Sequence, residues 1–164
     1  MDELAGARVL VVDDKRDTLE ILEMLIQSHG AETQSATSAA EGLAHIGRFH
    51  PDVLVSDLAM PGDDGHVFIR KVRALPADRG GAVPALALSA HVYSEDRERA
   101  LAAGFDAFLP KPVWPLALVD CLRALMSRAR GFVERRRGER RRIKDRFRTI
   151  LERRQRDRRR LEVC

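Results

Sequence analysis

Two adjacent carboxylates, Asp13 and Asp14, follow directly on the apolar run RVLVV at positions 8–12. A third, Asp57, closes the run DVLVSD, while Ser89 ends the apolar part of VPALALSA and Lys111 follows AFLP. If these runs are parallel strands, all five side chains gather at the sheet edge formed by the strands' carboxyl ends, where ligands bind in open α/β sheets. Three carboxylates brought together there repel by roughly several kcal/mol unless a cation lies among them. With only oxygen ligands, and no His or Cys at suitable spacing, the cation expected is Mg²⁺ or Mn²⁺; Mg²⁺ takes few carboxylates and fills its shell with water and phosphate oxygens. Asp57 can supply the phosphate by acting as a nucleophile and becoming an acyl phosphate. Lys111 would then pair with one phosphoryl oxygen and the Ser89 hydroxyl with another. Taken singly, each residue is ordinary: an Asp-Asp pair caps helices, Ser89 can cap too, and Lys111-Pro112 reads as a solvated turn. Their joint recurrence at the ends of alternating strands is what points to a site.

The elements that must position these residues follow from periodicity. After the first strand, Leu19, Leu22, Leu25 and Ile26 fall at helical spacing within 18–29, and Gly30 ends the helix. A weak strand at 32–36 precedes Ser38, whose relation to Glu41 is that of a capping box for a helix reaching about residue 47. The third strand is DVLVSD, followed by a helix over 65–75 with Asp63 and Asp64 as loop and N-cap acids. A buried strand at 83–90, a helix over 94–103 stopped by Gly104, the strand AFLP and a helix over 115–126 complete the pattern. Gly80-Gly81 reads as a flexible loop, and Trp114 is expected to pack against the start of the last helix. Five strands alternating with five helices, the stronger strands being almost continuously apolar, predict a parallel sheet covered on both faces.

Composition divides the chain. Residues 1–127 carry 12 Lys+Arg against 19 Asp+Glu, a net −7, whereas 128–164 carry 17 against 6, a net +11. The first part reads as a folded acidic domain and the second as an Arg-rich tail. Ile143, Phe147, Ile150 and Leu151 form one apolar stripe on a candidate tail helix over 139–160, so the tail is expected to be partly helical or disordered. Cys121 and Cys164 have neither the spacing of a metal site nor the number of a disulfide framework. No apolar run approaches the roughly 18 residues of a membrane span, and the acidic start MDELAGARVLVV is unlike a secretory signal, so a cytoplasmic protein is expected.

From Ala7 to Leu125 the chain resembles the receiver domain of two-component response regulators, through VLVVDD, PDVLVSDLAMPGDDG, LALSA and FLPKP in that order. The stretch RALAAGFDAFLPKPV is similar to receivers attached to hybrid sensor kinases. The resemblance implies a flavodoxin-like (βα)5 doubly wound parallel sheet of strand order 2-1-3-4-5, with a receiver domain over 1–127 and the basic extension over 128–164. It implies that Asp57 takes a phosphoryl group from a phosphohistidine on a histidine kinase or histidine phosphotransfer protein. Mg²⁺ would be held by Asp14, Asp57 and the backbone carbonyl of Ala59, with Asp13 acting mainly through water. Ser89 and Phe108 would form the switch, and phosphorylation would reshape the face of the fourth helix, fifth strand and fifth helix, a face that can also carry a homodimer. Phe108 departs from the Tyr often found there and lacks its hydroxyl; the small Ala90 leaves room for a phosphodonor. His91, two residues after Ser89, stands where a side chain can guide water. Such a domain assists its own phosphotransfer and autodephosphorylation and is not a dedicated enzyme.

The leading expectation is therefore a phosphoryl-accepting signalling or phosphorelay module. The alternative is a nucleic-acid-binding transcription regulator that uses the basic tail as its output; a Mg²⁺-dependent phosphatase would need a general base that the sequence does not offer. The tail is expected to bind a polyanion or acidic partner through charge. If the ligand is nucleic acid, neutralising about six phosphates weakens binding on the order of a thousandfold between low and moderate salt, with little sequence preference. Titration of the full chain and of a chain ending at Ser127 across a salt series measures this. Equal affinity of the two, or strong sequence discrimination, would contradict it.

Overall fold

The computed structural model describes residues 2–91 and 93–130. Five strands, β1 (Arg8–Val12), β2 (Glu32–Ala36), β3 (Val53–Asp57), β4 (Ala85–Ser89) and β5 (Ala107–Pro110), form one sheet. All neighbouring pairs are parallel and the order is β2-β1-β3-β4-β5. The helices are α1 (Arg16–Ser28), α2 (Ala39–Phe49), α3 (Gly65–Arg73) and α4 (Ser94–Ala103), with a 3-10 turn at Ala77–Arg79. A fifth helix, α5, occupies 115–130 and so runs past the expected end at residue 126. Among the described residues no helix is long and apolar enough to cross a membrane. Met1–Ser127 forms a compact unit by itself. The tail helix expected over 139–160 lies outside the described residues.

Strand alternation sorts the core into two halves, because successive side chains of a strand point to opposite faces. Val9 and Val11 of β1, Val53 and Val55 of β3, and Leu86 and Leu88 of β4 pack with Leu19, Leu22 and Ile26 of α1 and Leu118, Leu122 and Leu125 of α5. Leu10, Val12, Leu54, Ala85 and Ala87 pack on the other face with Ile46 of α2, Phe68, Ile69 and Val72 of α3, and Ala100 of α4. β1, β3 and β4 are central and almost wholly buried, which is why they read as continuous apolar runs. β2 lies at one edge, and its sequence ETQSA is correspondingly polar. β5 forms the other edge and ends on Pro110, a position where a missing backbone donor is tolerated.

Local chemistry sets the helix ends. Ser38 caps α2 by accepting from the Glu41 N–H at 3.2 Å, as the sequence predicts. The Glu41 carboxylate, however, reaches past Ser38 to the backbone N–H and hydroxyl of Thr37, at 2.8 and 2.9 Å. These bonds, the backbone one foremost, hold Glu41 below the usual carboxylate range. Asp64 caps α3 through the Val67 N–H at 2.9 Å.

Two expectations are corrected. Trp114 does not pack against α5: it is 75% exposed. Pro115 disfavours helical backbone at the residue before it, so Trp114 stays outside the helix and its carbonyl serves only to accept the Leu118 N–H at 3.0 Å. Gly80-Gly81 is a tethered turn rather than a flexible one. The Arg73 guanidinium donates to the carbonyls of Gly81 and Val83, and the Gly81 N–H donates to the Pro76 carbonyl.

Gly65 permits α3 to begin against the end of β3. A Cβ at this position would lie 2.5 Å from the Asp57 carbonyl oxygen and 2.7 Å from Leu58 Cα, both backbone atoms that cannot move aside cheaply. Gly65→Ala is therefore expected to cost about 2 kcal/mol of stability, as overpacking typically does. Denaturant unfolding measures it; a change within about 0.5 kcal/mol, the range of an ordinary surface substitution, would contradict this packing.

Candidate functional site

The acidic cluster is assembled by strand ends. Asp13 and Asp14 are the first two residues beyond β1, and Asp57 is the last residue of β3, the neighbouring strand. Asp13 is fixed by its backbone N–H, which donates to the Ala36 carbonyl at 3.1 Å, and by its Oδ1, which accepts the Lys15 N–H at 2.9 Å. This second bond forms the turn into α1, which begins two residues earlier than the periodicity suggests. Oxygens of Asp13, Asp14 and Asp57 all lie within 4.8 Å of one another. Asp13 and Asp57 are 1% and 3% exposed, so their charges are largely removed from water.

Lys111 answers that charge. Its Nζ lies 3.1 Å from Asp13 Oδ2 and 3.1 Å from Asp57 Oδ1. Its backbone N–H donates to the Ser89 carbonyl at 2.7 Å, which continues the β4-β5 ladder by one step and aims the side chain at the cluster. Burial raises the Asp57 pKa; Lys111 opposes that rise, Asp13 adds to it, and the Ala59 backbone N–H opposes it. For Lys111, burial favours the neutral amine, but hydrogen bonds and attraction from Asp13 and Asp57 outweigh it and raise its pKa.

One carboxylate oxygen is left over. Asp14 Oδ1 is buried and has no hydrogen-bond partner among the described residues. A buried acceptor without a donor carries a desolvation cost of about 1–3 kcal/mol. An all-carboxylate trio with such an oxygen fits a hard divalent cation, which prefers oxygen ligands and supplies the missing positive charge.

The sequence-predicted residues fall as follows. Asp13, Asp14, Asp57 and Lys111 are brought into one cluster. Ser89 ends β4, next to β3, and is buried; its Oγ accepts the His91 N–H at 3.1 Å, leaving the hydroxyl proton available to another acceptor. His91 is exposed, as are Ala90 and Ala59. Phe108 is half-buried on β5 against the α3/α4 side of the core. Sequence reasoning missed a groove of about 680 Å³ beside the cluster, lined by Ile21, Met24 and Leu25 of α1, by Pro112 and Val113, and by Lys111 itself. Ile21 and Met24 are 65% and 69% exposed. The signal was present: both are apolar residues lying off the buried stripe of α1.

The raised Asp57 pKa has a defined consequence for stability. A carboxyl whose folded pKa exceeds its unfolded value favours folding most when protonated; that contribution is present below the unfolded pKa and is lost as pH rises through the folded one. Without divalent cations, Asp57→Asn is therefore expected to raise the thermal midpoint at neutral pH, and the gain should shrink on acidification. Calorimetry at several pH values tests this. A lowered midpoint at neutral pH, or a gain that grows in acid, would contradict it.

Comparison with known proteins agrees with this geometry. Residues 9–123 match the model of the response regulator receiver domain. The chain is 44% identical over 119 residues to an uncharacterized 14.6 kDa protein from Leptolyngbya boryana, covering 73% of this chain and 89% of that one. It is 38% identical over 125 residues to the transcriptional regulatory protein PrrA of Mycobacterium leprae, covering 76% of this chain but only 52% of PrrA. Among solved structures, the receiver domain of sensor histidine kinase PA1611 from Pseudomonas aeruginosa, with a magnesium ion in its active-site cleft, superposes with a TM-score of 0.68 at 28% identity. That match covers 75% of this chain and 99% of that one. A parallel sheet of order 2-1-3-4-5, an acidic cluster at its carboxyl edge and a lysine spanning two of the acids thus coincide with sequence kinship over about three quarters of the chain: it belongs to the response regulator receiver domain family.

Proposed function

We propose that this receiver domain accepts a phosphoryl group on Asp57 from a phosphohistidine of a histidine kinase or phosphotransfer protein, with Mg²⁺ bound. The observation that carries the reading is the Lys111 ammonium, 3.1 Å from both Asp13 and Asp57, beside the unpartnered Asp14 Oδ1. An Asp57 carboxylate oxygen forms the new bond to phosphorus as the phosphorus–nitrogen bond breaks and the donor's imidazole leaves. Lys111 donates to one phosphoryl oxygen in exchange for its bond to Asp57, and the Ser89 hydroxyl, whose proton is not used in the bond from the His91 N–H, donates to another. Asp14, Asp57 and the Ala59 carbonyl would hold the ion, with Asp13 beside it. The ion supplies positive charge to offset the charge building on the phosphoryl oxygens. The solved relative with magnesium in its cleft supports this choice of metal.

The groove between α1 and the turn before α5 borders the same lysine. Its apolar lining and the exposed Ile21 and Met24 suit the side of a donor helix that presents its phosphohistidine to Asp57. Once phosphorylated, the site gains about −1.5 to −2 charge and new acceptor oxygens, and Ser89 and Phe108 transmit that demand to α4, β5 and α5. The chain turns over no separate substrate; it assists its own phosphorylation and dephosphorylation.

Incubation with a small-molecule phosphodonor and Mg²⁺, followed by intact-mass analysis, is expected to show one added phosphoryl group. Chelation of the metal or Asp57→Ala should abolish it, and Asp14→Ala should slow it by at least about tenfold through loss of the metal. Undiminished labelling of Asp57→Ala would overturn the assignment.

A further inference from the structure

At the edge of the sheet opposite the acidic cluster, one cation ties four segments together. Arg73, the last residue of α3, donates from Nε to the Gly104 carbonyl at 2.9 Å and from Nη1 to the carbonyls of Gly81 and Val83 at 3.0 and 2.6 Å. Its Nη2 reaches Asp106 Oδ2 at 2.9 Å. The same Asp106 oxygen accepts the Ala85 N–H at 2.9 Å, and the Asp106 N–H donates to the Ala85 carbonyl at 2.8 Å. The approach leaves no room for a side chain: a Cβ on Gly104 would lie 2.9 Å from Arg73 Cγ. Arg73 therefore grips the C-cap of α4, the segment leading into β4 and the residue before β5 at once.

α4 is held very unevenly. Of its ten residues only Ala100 is buried, four positions before the Gly104 cap that Arg73 grips. Phe105, just beyond, is buried and donates its N–H to the Ala100 carbonyl. The opposite end has no such anchor among the described residues. The N-cap Tyr93 makes no side-chain cap bond and is 76% exposed, and five of the six residues from Ser94 to Arg99 are exposed. That loose end follows closely on Ser89 and His91.

We infer that Arg73 is a positioning residue that makes the C-terminal end of α4 a fixed pivot, so that a change at Ser89 swings the N-terminal part of the helix and leaves residues 100–106 in place. The inference rests on the phosphorylation of Asp57 proposed above. It gives the switch a direction: the surface remodelled is the one around Tyr93 to Arg99, and the ends of β4 and β5 far from the site keep their register. Movement of the whole helix would instead require Ala100 and Phe105 to leave the core.

Hydrogen exchange on the full chain, before and after phosphorylation, reads this directly. In the wild type, amides of 93–99 are expected to change by at least about fivefold on phosphorylation and those of 100–106 by less than about twofold, as separate local opening units do. Arg73→Met, which keeps the stem but removes the donors, should raise exchange at 81–85 and 100–106 by about tenfold or more and extend the phosphorylation response into 100–106. Arg73→Lys, with a single donor group in place of the fork, should fall between the two. Phosphorylation rates from a small-molecule donor should stay within about twofold for both variants, since Arg73 touches nothing in the site. Equal phosphorylation-induced change along all of α4 in the wild type overturns the pivot without any variant, as does unaltered exchange at 100–106 in Arg73→Met. A wild-type chain that takes no phosphoryl group instead overturns the reading of Asp57, and with it the pivot as a signalling device.

Discussion

A single ammonium group between two buried carboxylates sets the terms for this domain. Lys111 reaches Asp13 and Asp57 at equal distances, and the three residues come from beyond β1, from the end of β3 and from beyond β5. Loss of the ammonium would leave two buried carboxylates without their cation, typically a cost of about 3–5 kcal/mol, so the contact constrains every element that feeds it. β3 must end where Asp57 faces the cluster, β5 must stop in register with Ser89, and the turn after β1 must curl back through the Lys15 N–H to hold Asp13. The balance is nevertheless incomplete. Asp57 remains pushed up by its burial, and an oxygen of Asp14 remains unpartnered. That incomplete balance is the feature on which the proposed binding of a hard cation and a phosphoryl group rests.

Rigidity and looseness are distributed unequally over the fold. The two apolar layers lock the central strands, whose side chains from Val9 to Val12 and from Val53 to Val55 are wholly buried. Nothing in that part can respond gradually to a new charge, because close-packed cores resist small deformations. α4 is different: it covers the sheet with one buried alanine and presents charged residues elsewhere. Under the proposed switch, a signal from the site would be absorbed where burial is least, in the lightly held helix that follows Ser89.

Much of this was legible in the sequence, for identifiable reasons. Central strands such as RVLVV and DVLVSD are buried on both faces and therefore read as unbroken apolar runs, and their ends carry the acids. Capping by Ser38 and Asp64 was legible because short polar side chains before a periodic stretch have few other roles. What escaped is what depends on three-dimensional closure. Arg73 sits among Arg70 and Lys71 in a basic last turn and looks like any solvated helix end; only the return of Gly81 and Asp106 to its side makes it a hub. Trp114 suggested packing by its place before the last helix, but Pro115 after it keeps it out of the helix. Ile21 and Met24 lie off the buried stripe of α1, and only the folded structure shows that they line a groove beside Lys111.

The central claim is that Asp57, alone among the three clustered carboxylates, becomes the acyl phosphate. Borohydride reduces an acyl phosphate to the alcohol, converting an aspartyl phosphate to homoserine and leaving free carboxylates untouched. Peptide mass mapping of the phosphorylated and reduced chain is predicted to find homoserine at position 57, with Asp13 and Asp14 unchanged. Homoserine at position 13 or 14, or a phosphorylated chain that yields none, would contradict the account.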